Sequence, residues 1–167
     1  MNKLLIGSAG IGKTRYLINF AKESSAKNVI VVDKFKEYQF LRKEKVQNKK
    51  FFFFNPGEIK EMEKLLTELR EFNESTLVIF DDCLQNEALN LFKTSTVFNW
   101  DICYATQVLP VNAESFLSNI HKLLVFNIIG EKILDELVRF GDLEKEEIMT
   151  LKNGKYVQLQ TIDAIIQ

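Results

Sequence analysis

The chain has 167 residues, of which 46% are hydrophobic and 27% are charged, and its formal net charge is −1. This composition predicts one globular domain over residues 1–167 and excludes a disordered or fibrous chain. The near-zero charge excludes an overall basic signature for nucleic acid. Since no apolar stretch approaches the length of a membrane span and the first predicted strand begins near the N-terminus, we expect no membrane span and no signal peptide. Cys83 and Cys103 lack metal-like spacing, so we expect reduced thiols and a cytoplasmic location.

Apolar runs typical of strands alternate along the chain with segments of helical spacing. Strands are predicted over Lys3–Ile6, Asn28–Asp33, Lys50–Phe54, Thr76–Phe80, Asp101–Thr106, Lys122–Ile129 and Lys155–Gln160. Helices are predicted over Arg15–Ser25, Lys36–Lys45, Glu58–Phe72, Asn86–Lys93, Ser115–Asn119 and Glu131–Phe140. This alternation predicts an α/β fold of three layers, with a mainly parallel central sheet and helices on both faces.

A glycine-rich motif lies between the first predicted strand and the first predicted helix. Residues 7–14 fit the pattern G-x-x-x-x-G-K-T, in which backbone N–H groups and the helix dipole face phosphate oxygens. Lys13 would reach the β- and γ-phosphates, and the Thr14 hydroxyl would bind Mg²⁺. The motif therefore predicts a P-loop that binds ATP or another nucleoside triphosphate with Mg²⁺. The predicted nucleotide-binding residues are Gly7, Ser8, Ala9, Gly10, Ile11, Gly12, Lys13, Thr14 and Arg15.

Two polar strand ends follow the P-loop. Asp81 ends a run of four apolar residues, which places it at the carboxyl edge of a buried strand, where it would hold Mg²⁺. Asp82 would orient or activate the attacking water, although capping of the next turn is an alternative for this residue. Gln107 follows the next predicted strand and would report the presence of the γ-phosphate. Together these residues predict hydrolysis of the bound nucleotide.

In this order, Gly7–Thr14, Leu77–Asp82 and Tyr104–Gln107 resemble the HerA–FtsK group of P-loop ATPases. The compact size looks most like the genome-packaging ATPases of membrane-containing and poxvirus-like viruses. The resemblance implies a RecA-like (ASCE) sheet and a homo-oligomeric ring that translocates double-stranded DNA with ATP. It also implies a capsid or portal-vertex partner, in the host cytoplasm or on the virion. Lys13, Thr14, Asp81, Asp82 and Gln107 would have the roles given above.

One residue departs from the family pattern, and one family role cannot be assigned to a single residue. Many relatives carry Glu where this chain has Asp82, and the shorter side chain would need a closer approach. Family rings also use an arginine from a neighbouring subunit to stabilise transition-state charge. Arg70 and Arg139 are the better candidates among four arginines, and the sequence does not choose between them; Arg139 is also consistent with a solvated helix face.

The segment Lys34–Lys50 is the one strongly basic run, with seven basic residues against two acidic ones. A polyanion contact and a solvated helical face are both compatible with this pattern. DNA contacts, if made here, would go mainly to phosphates and would depend strongly on salt.

Other functional classes share the P-loop. A nucleotide or small-molecule kinase would need an arginine-rich lid, and four scattered arginines argue against one. A GTP switch would need Asn-Lys-x-Asp, but the nearest string, Asn48–Phe51, lacks the acid. An assembly or secretion ATPase shares all the motifs, although such a protein usually carries a membrane span.

Overall fold

The computed structural model describes residues 1–44, 46, 48–98, 100–109, 111, 117–140 and 143–160. The strands are β1 (Asn2–Ile6), β2 (Asn28–Asp33), β3 (Lys50–Phe54), β4 (Thr76–Asp81), β5 (Trp100–Thr106), β6 (Lys122–Phe126) and β7 (Tyr156–Gln160). The helices are α1 (Lys13–Glu23), α2 (Ile59–Glu71), α3 (Gln85–Thr94), α4 (Glu131–Phe140) and α5 (Lys145–Met149). Short 3-10 turns cover Gln39–Arg42, Pro56–Glu58 and Ser95–Val97.

All seven strands form one open sheet in the order β3-β2-β4-β5-β1-β6-β7. Neighbouring strands are parallel from β3 to β6, and β7 runs antiparallel to β6. The prediction of a mainly parallel sheet is therefore confirmed. Because β5 lies between β1 and β4, the carboxyl ends of the P-loop strand, the Gln107 strand and the acidic strand meet at one edge.

Helices cover both faces of this sheet, which confirms the three-layer architecture. One face packs against α2, α3, α4 and α5 through a large apolar cluster that includes Met62, Phe92 and Leu137. The other face packs against α1 and the 3-10 turn after β2, through residues such as Leu17 and Leu41. Strands buried on both faces need apolar side chains at every position, which explains the continuous hydrophobic runs in the sequence.

The helix predicted over Lys36–Lys45 is wrong in the part of that range that the structure describes. A 3-10 turn over Gln39–Arg42 takes its place. The Asp33 carboxylate accepts hydrogen bonds from the backbone N–H groups of Phe35 at 2.8 Å and Tyr38 at 3.2 Å. Lys36 has a φ of 60°, in the left-handed region, so the chain turns here and cannot enter an α-helix. A side-chain cap from Asp33 thus overrides the helical spacing.

The strand predicted over Lys122–Ile129 is shorter and ends at Phe126. Beyond this end, the Asn127 carbonyl accepts the N–H of Ser8, and its side-chain amide donates to the carbonyl oxygens of Met149 and Leu151. The helix predicted over Ser115–Asn119 extends into residues outside the described ranges. None of the described helices has both the length and the apolar character that a membrane crossing requires.

Candidate active site

The P-loop connects β1 to α1 and is held from both sides by backbone hydrogen bonds. The Gly7 N–H donates to the Thr106 carbonyl at 3.2 Å, and the Ser8 N–H donates to the Asn127 carbonyl at 3.0 Å. A Cβ on Gly7 would lie 2.5 Å from Ile11 Cδ1 and 2.7 Å from Phe126 Cβ. Any larger residue would have to displace Ile11 or Phe126 at the end of β6, so glycine fits this position best.

Lys13 begins α1 and its side chain lies beneath the loop. Its Nζ donates to the carbonyl oxygens of Gly7 at 2.8 Å and Ser8 at 2.9 Å, and the residue is only 7% exposed. Burial lowers the pKa of Lys13, and the negative charges of Asp82 and Asp81 oppose that shift. The lysine is thus a cation held at the loop by weak carbonyl acceptors that phosphate oxygens could replace.

Thr14 and Tyr38 both bond to one oxygen of Asp81. Thr14 Oγ1 donates to Asp81 Oδ2 at 2.7 Å, and the Tyr38 hydroxyl donates to the same atom at 2.8 Å. Burial raises the pKa of Asp81, and the two hydroxyl donors partly offset this effect. Within the described residues no hydrogen bond reaches Asp81 Oδ1. Carboxylate and hydroxyl oxygens are ligands that Mg²⁺ prefers, so Thr14 and Asp81 fit a magnesium site.

Tyr38 and Asp33 were not identified from the sequence. Tyr38 is completely buried although it follows an exposed basic stretch, and burial raises the pKa of its hydroxyl. Asp33 ends β2 and is the register partner of Asp81 on β4. One signal could have indicated Asp33, since it ends a β-branched strand just as Asp81 ends the apolar strand. No local pattern marks Tyr38, because its contact with Asp81 spans 43 residues.

Asp82 and Gln107 lie at neighbouring strand ends and are joined by a hydrogen bond. Gln107 Nε2 donates to Asp82 Oδ2, and the Asp82 N–H donates to the Ala105 carbonyl at 2.9 Å. Asp82 has a φ of 53°, in the left-handed region. The strained turn directs the chain away from the sheet immediately after the acidic strand.

These groups surround one cleft of about 430 Å³, a volume within the range of roughly 300–1,000 Å³ that is typical of small-molecule sites. Its lining consists of Ala9, Gly10, Gly12, Lys13, Thr14, Arg15, Ile18, Phe35, Glu37, Asp81, Asp82 and Gln107. Gly7, Ser8 and Ile11 support the loop instead: Ile11 is buried against Gly7, and Ser8 Oγ accepts the N–H of Ile129. Ile18, Phe35 and Glu37 are additions that the sequence did not indicate.

The candidate arginines lie elsewhere. Arg139 is exposed on α4 and does not line the cleft. The Arg70 guanidinium lies 4.0 Å from the centre of the Phe98 ring, and that of Arg42 lies 5.1 Å from the Phe53 ring. Arg15 is the single arginine along the lining of the described cleft. An arginine supplied to a neighbouring subunit, with Arg139 as a candidate, stays a prediction.

Solved structures with a similar fold are P-loop ATPases. The genome packaging NTPase B204 from Sulfolobus turreted icosahedral virus 2, in complex with AMPPCP, matches with a TM-score of 0.72 and 16% identity over 95% of this chain and 91% of that chain. EssC (ATPases 2 and 3) from Geobacillus thermodenitrificans matches with a TM-score of 0.67 and 14% identity over 95% of this chain and 37% of that chain. EccC (ATPases 2 and 3) from Thermomonospora curvata matches with a TM-score of 0.68 and 10% identity over 95% of this chain and 34% of that chain.

No protein-family model matches the chain, and the search of curated proteins gives no match either. At these identities, the structural likeness establishes the fold. At the level of the fold, this likeness confirms the resemblance expected from the sequence, since a viral packaging NTPase and the EssC and EccC ATPases share this architecture.

Gly7→Ala should destabilise the protein by about 1–3 kcal/mol, because the added methyl group must displace Ile11 and the backbone near Phe126. Chemical denaturation measures this change. Gly57→Ala is the matched control, since a Cβ there meets nothing within 4 Å and should change stability by less than about 0.5 kcal/mol. Equal effects of the two substitutions would contradict the packing derived for the loop.

Tyr38→Phe should lower the free energy of unfolding by about 1–3 kcal/mol, because a buried carboxylate loses one of its two hydroxyl donors. Denaturant titration near neutral pH measures the loss. Tyr156→Phe removes a hydroxyl for which the described residues offer no hydrogen bond, so it should be nearly neutral. If Tyr38→Phe is as stable as the wild type, the Tyr38–Asp81 bond does not contribute as described.

Proposed function

We propose that this chain is an ATP-hydrolysing motor subunit that translocates double-stranded DNA, most concretely in the packaging of a viral genome. Two hydrogen-bonded pairs of polar side chains lie at one cleft, and they support this proposal. Thr14 bonds to Asp81 beneath the P-loop, and Gln107 bonds to Asp82 at the adjoining strand ends. The first pair suits a nucleotide phosphate with its metal, and the second suits the water that attacks it.

Nucleotide binding would use the loop backbone and Lys13. The amide groups of the P-loop and the N-terminus of α1 favour phosphate oxygens. Lys13 Nζ would exchange its carbonyl partners for the β- and γ-phosphates, which is a stronger, charge-assisted interaction. A Mg²⁺ ion held by Thr14 and Asp81 would neutralise charge on the same phosphates. The net result is a triphosphate fixed with its γ-phosphate towards Asp82 and Gln107.

Hydrolysis would then require an oriented water molecule. The Asp82 carboxylate accepts a hydrogen bond and the Gln107 amide offers both a donor and an acceptor, so the pair can hold water in line with the γ-phosphorus. Loss of the γ-phosphate would change what Gln107 contacts. Because Gln107 directly follows β5, at the centre of the sheet, such a change would alter the contacts at the end of β5.

The proposed DNA contact lies on the basic segment Lys34–Lys50. Contacts within the protein already engage some of the cations of this segment. Lys49 Nζ donates to the Ser24 hydroxyl and to the Ser24 and Ala26 carbonyl oxygens, so its charge is directed inward. The Arg42 guanidinium lies over the Phe53 ring, 5.1 Å from its centre. Exposed lysines remain at Lys34, Lys36, Lys43 and Lys50. Contacts from these lysines to phosphates would be independent of DNA sequence.

Assembly into a homo-oligomeric ring is part of the same proposal. A second solved B204, from Sulfolobus turreted icosahedral virus, is a DNA-packaging ATPase, and the match covers 92% of that chain. A ring would place an arginine such as Arg139 of one subunit at the cleft of the next. A capsid or portal-vertex protein would be the docking partner in the host cytoplasm or on the virion.

An assembly or secretion ATPase that acts on a polypeptide is the second candidate. The structure of EccC contains a signal sequence peptide, and its fold matches this chain about as well as that of EssC. The two candidates share the nucleotide chemistry and differ in cargo. Stimulation of hydrolysis by double-stranded DNA favours the first, and stimulation by an unfolded polypeptide favours the second.

Lys13→Ala should reduce ATP hydrolysis by at least about 100-fold, because the cation that offsets charge on the phosphates is lost. Asp82→Asn should spare nucleotide binding and stop turnover, because it removes a charged acceptor but keeps the size of the side chain. A phosphate-release assay and a fluorescent-nucleotide titration measure the two effects. Lys22→Ala is the control on the same helix, since Lys22 forms a surface ion pair with Glu44.

Normal turnover in Asp82→Asn would remove this residue from the proposed mechanism. Normal turnover in Lys13→Ala would contradict the assignment of the P-loop as the site of hydrolysis. Loss of activity in Lys22→Ala would instead indicate a general sensitivity of α1.

Lys36→Gln combined with Lys43→Gln should reduce the stimulation of ATP hydrolysis by double-stranded DNA and leave the rate without DNA unchanged. The slope of log affinity against log salt should become less steep by about 1 for each phosphate contact that is lost. Lys60→Gln with Lys64→Gln is the matched control, since these exposed lysines lie on α2, across the sheet. Equal losses in both double variants would show that the segment after β2 is not the DNA contact.

A further inference from the structure

Glu37 is an acidic side chain in the cleft to which the mechanism above gives no role. It lies in the segment after β2 and lines the same cleft as Lys13, Asp81 and Gln107. No hydrogen bond or ion pair to its carboxylate is found within the described ranges. The residue is exposed to solvent, so water reaches it directly.

Two contacts fix the backbone on either side of Glu37. The Asp33 carboxylate accepts the N–H groups of Phe35 and Tyr38, which closes the turn that contains Glu37. The Tyr38 hydroxyl is anchored on Asp81 at 2.8 Å. Because Tyr38 is fully buried and follows Glu37 directly, the position of Glu37 relative to the acidic strand is determined by the core. The backbone of Glu37 is therefore fixed at the rim of the cleft, and its carboxylate faces solvent.

The charges around Glu37 keep it available as a proton acceptor. Partial desolvation in the cleft and the negative charges of Asp81 and Asp33 raise the pKa of Glu37. The described residues place no cation against it. In contrast, one carboxylate oxygen of Asp81 already accepts hydrogen bonds from two hydroxyl groups.

Asp82 is less suited to take a proton by itself. One of its oxygens accepts the amide of Gln107, and its side chain is one methylene shorter than that of glutamate. Orientation of water and acceptance of its proton can therefore be divided between Asp82, directly after β4, and Glu37, in the segment after β2.

We propose that Glu37 is the general base for ATP hydrolysis, with Asp82 and Gln107 orienting the attacking water; this inference rests on the proposed function. The water oxygen forms a bond to the γ-phosphorus, and the bond between that phosphorus and the β–γ bridging oxygen breaks. ADP leaves with the electron pair of that bond. The proton of the water passes to the Glu37 carboxylate and then to solvent.

Glu37→Gln in the full chain is the direct test, because it keeps the size of the side chain and removes the base. The rate constant kcat should fall by about 100-fold or more, with and without DNA, while the affinity for ATP with Mg²⁺ stays within about twofold. Glu37→Asp should retain part of the activity, since a carboxylate remains. Glu44→Gln, in the same segment but outside the cleft, is the matched control and should behave as the wild type. Thermal unfolding of each variant completes the set.

A Glu37→Gln variant that turns over within about twofold of the wild type overturns the proposed base and leaves the ATPase function standing. Loss of nucleotide affinity in parallel with turnover also overturns it, because Glu37 would then act in binding. A wild-type chain that binds ATP but does not hydrolyse it under any condition overturns both this inference and the proposed function.

Discussion

The buried carboxylate of Asp81 holds the functional end of the molecule together. One of its oxygens accepts hydrogen bonds from Thr14 at 2.7 Å and from Tyr38 at 2.8 Å. These donors come from α1 and from the segment after β2, so a single atom joins the P-loop helix, the acidic strand and the basic segment. An unpaired carboxylate at this depth would cost several kcal/mol, and the two hydroxyl groups offset part of that cost. Elements far apart in the sequence therefore share one site.

The order of the strands in the sheet brings the other polar residues of the cleft close to Asp81. With β5 between β1 and β4, Gln107 reaches Asp82 while Lys13 stays beneath the loop. Every group that would contact a triphosphate then lies at the carboxyl edge of three neighbouring strands. The basic segment begins at the same edge and is tied to it through Tyr38. A polyanion bound to that segment and a nucleotide bound at the loop would thus act on one connected set of side chains, which is the property that a DNA-dependent motor needs.

Sequence patterns predicted those features that are local. The P-loop, the apolar strands and the acid at the end of β4 follow from spacing and composition over fewer than ten residues, and the structure contains all three. Features that depend on distant partners were missed. Periodicity indicated a helix over Lys36–Lys45, but the Asp33 cap and the buried Tyr38 produce a 3-10 turn. Glu37 entered the site for the same reason, since its place in the cleft depends on a contact between Tyr38 and β4 that no local pattern encodes.

The central claim is that this cleft hydrolyses ATP in response to DNA as part of an assembly. The most direct measurement is the steady-state rate of ATP hydrolysis by the wild-type chain with and without double-stranded DNA, beside its size in solution with a non-hydrolysable ATP analogue. We expect DNA to raise the rate and the analogue to favour an oligomer. A chain that stays monomeric and hydrolyses ATP at the same rate with and without DNA would contradict the account.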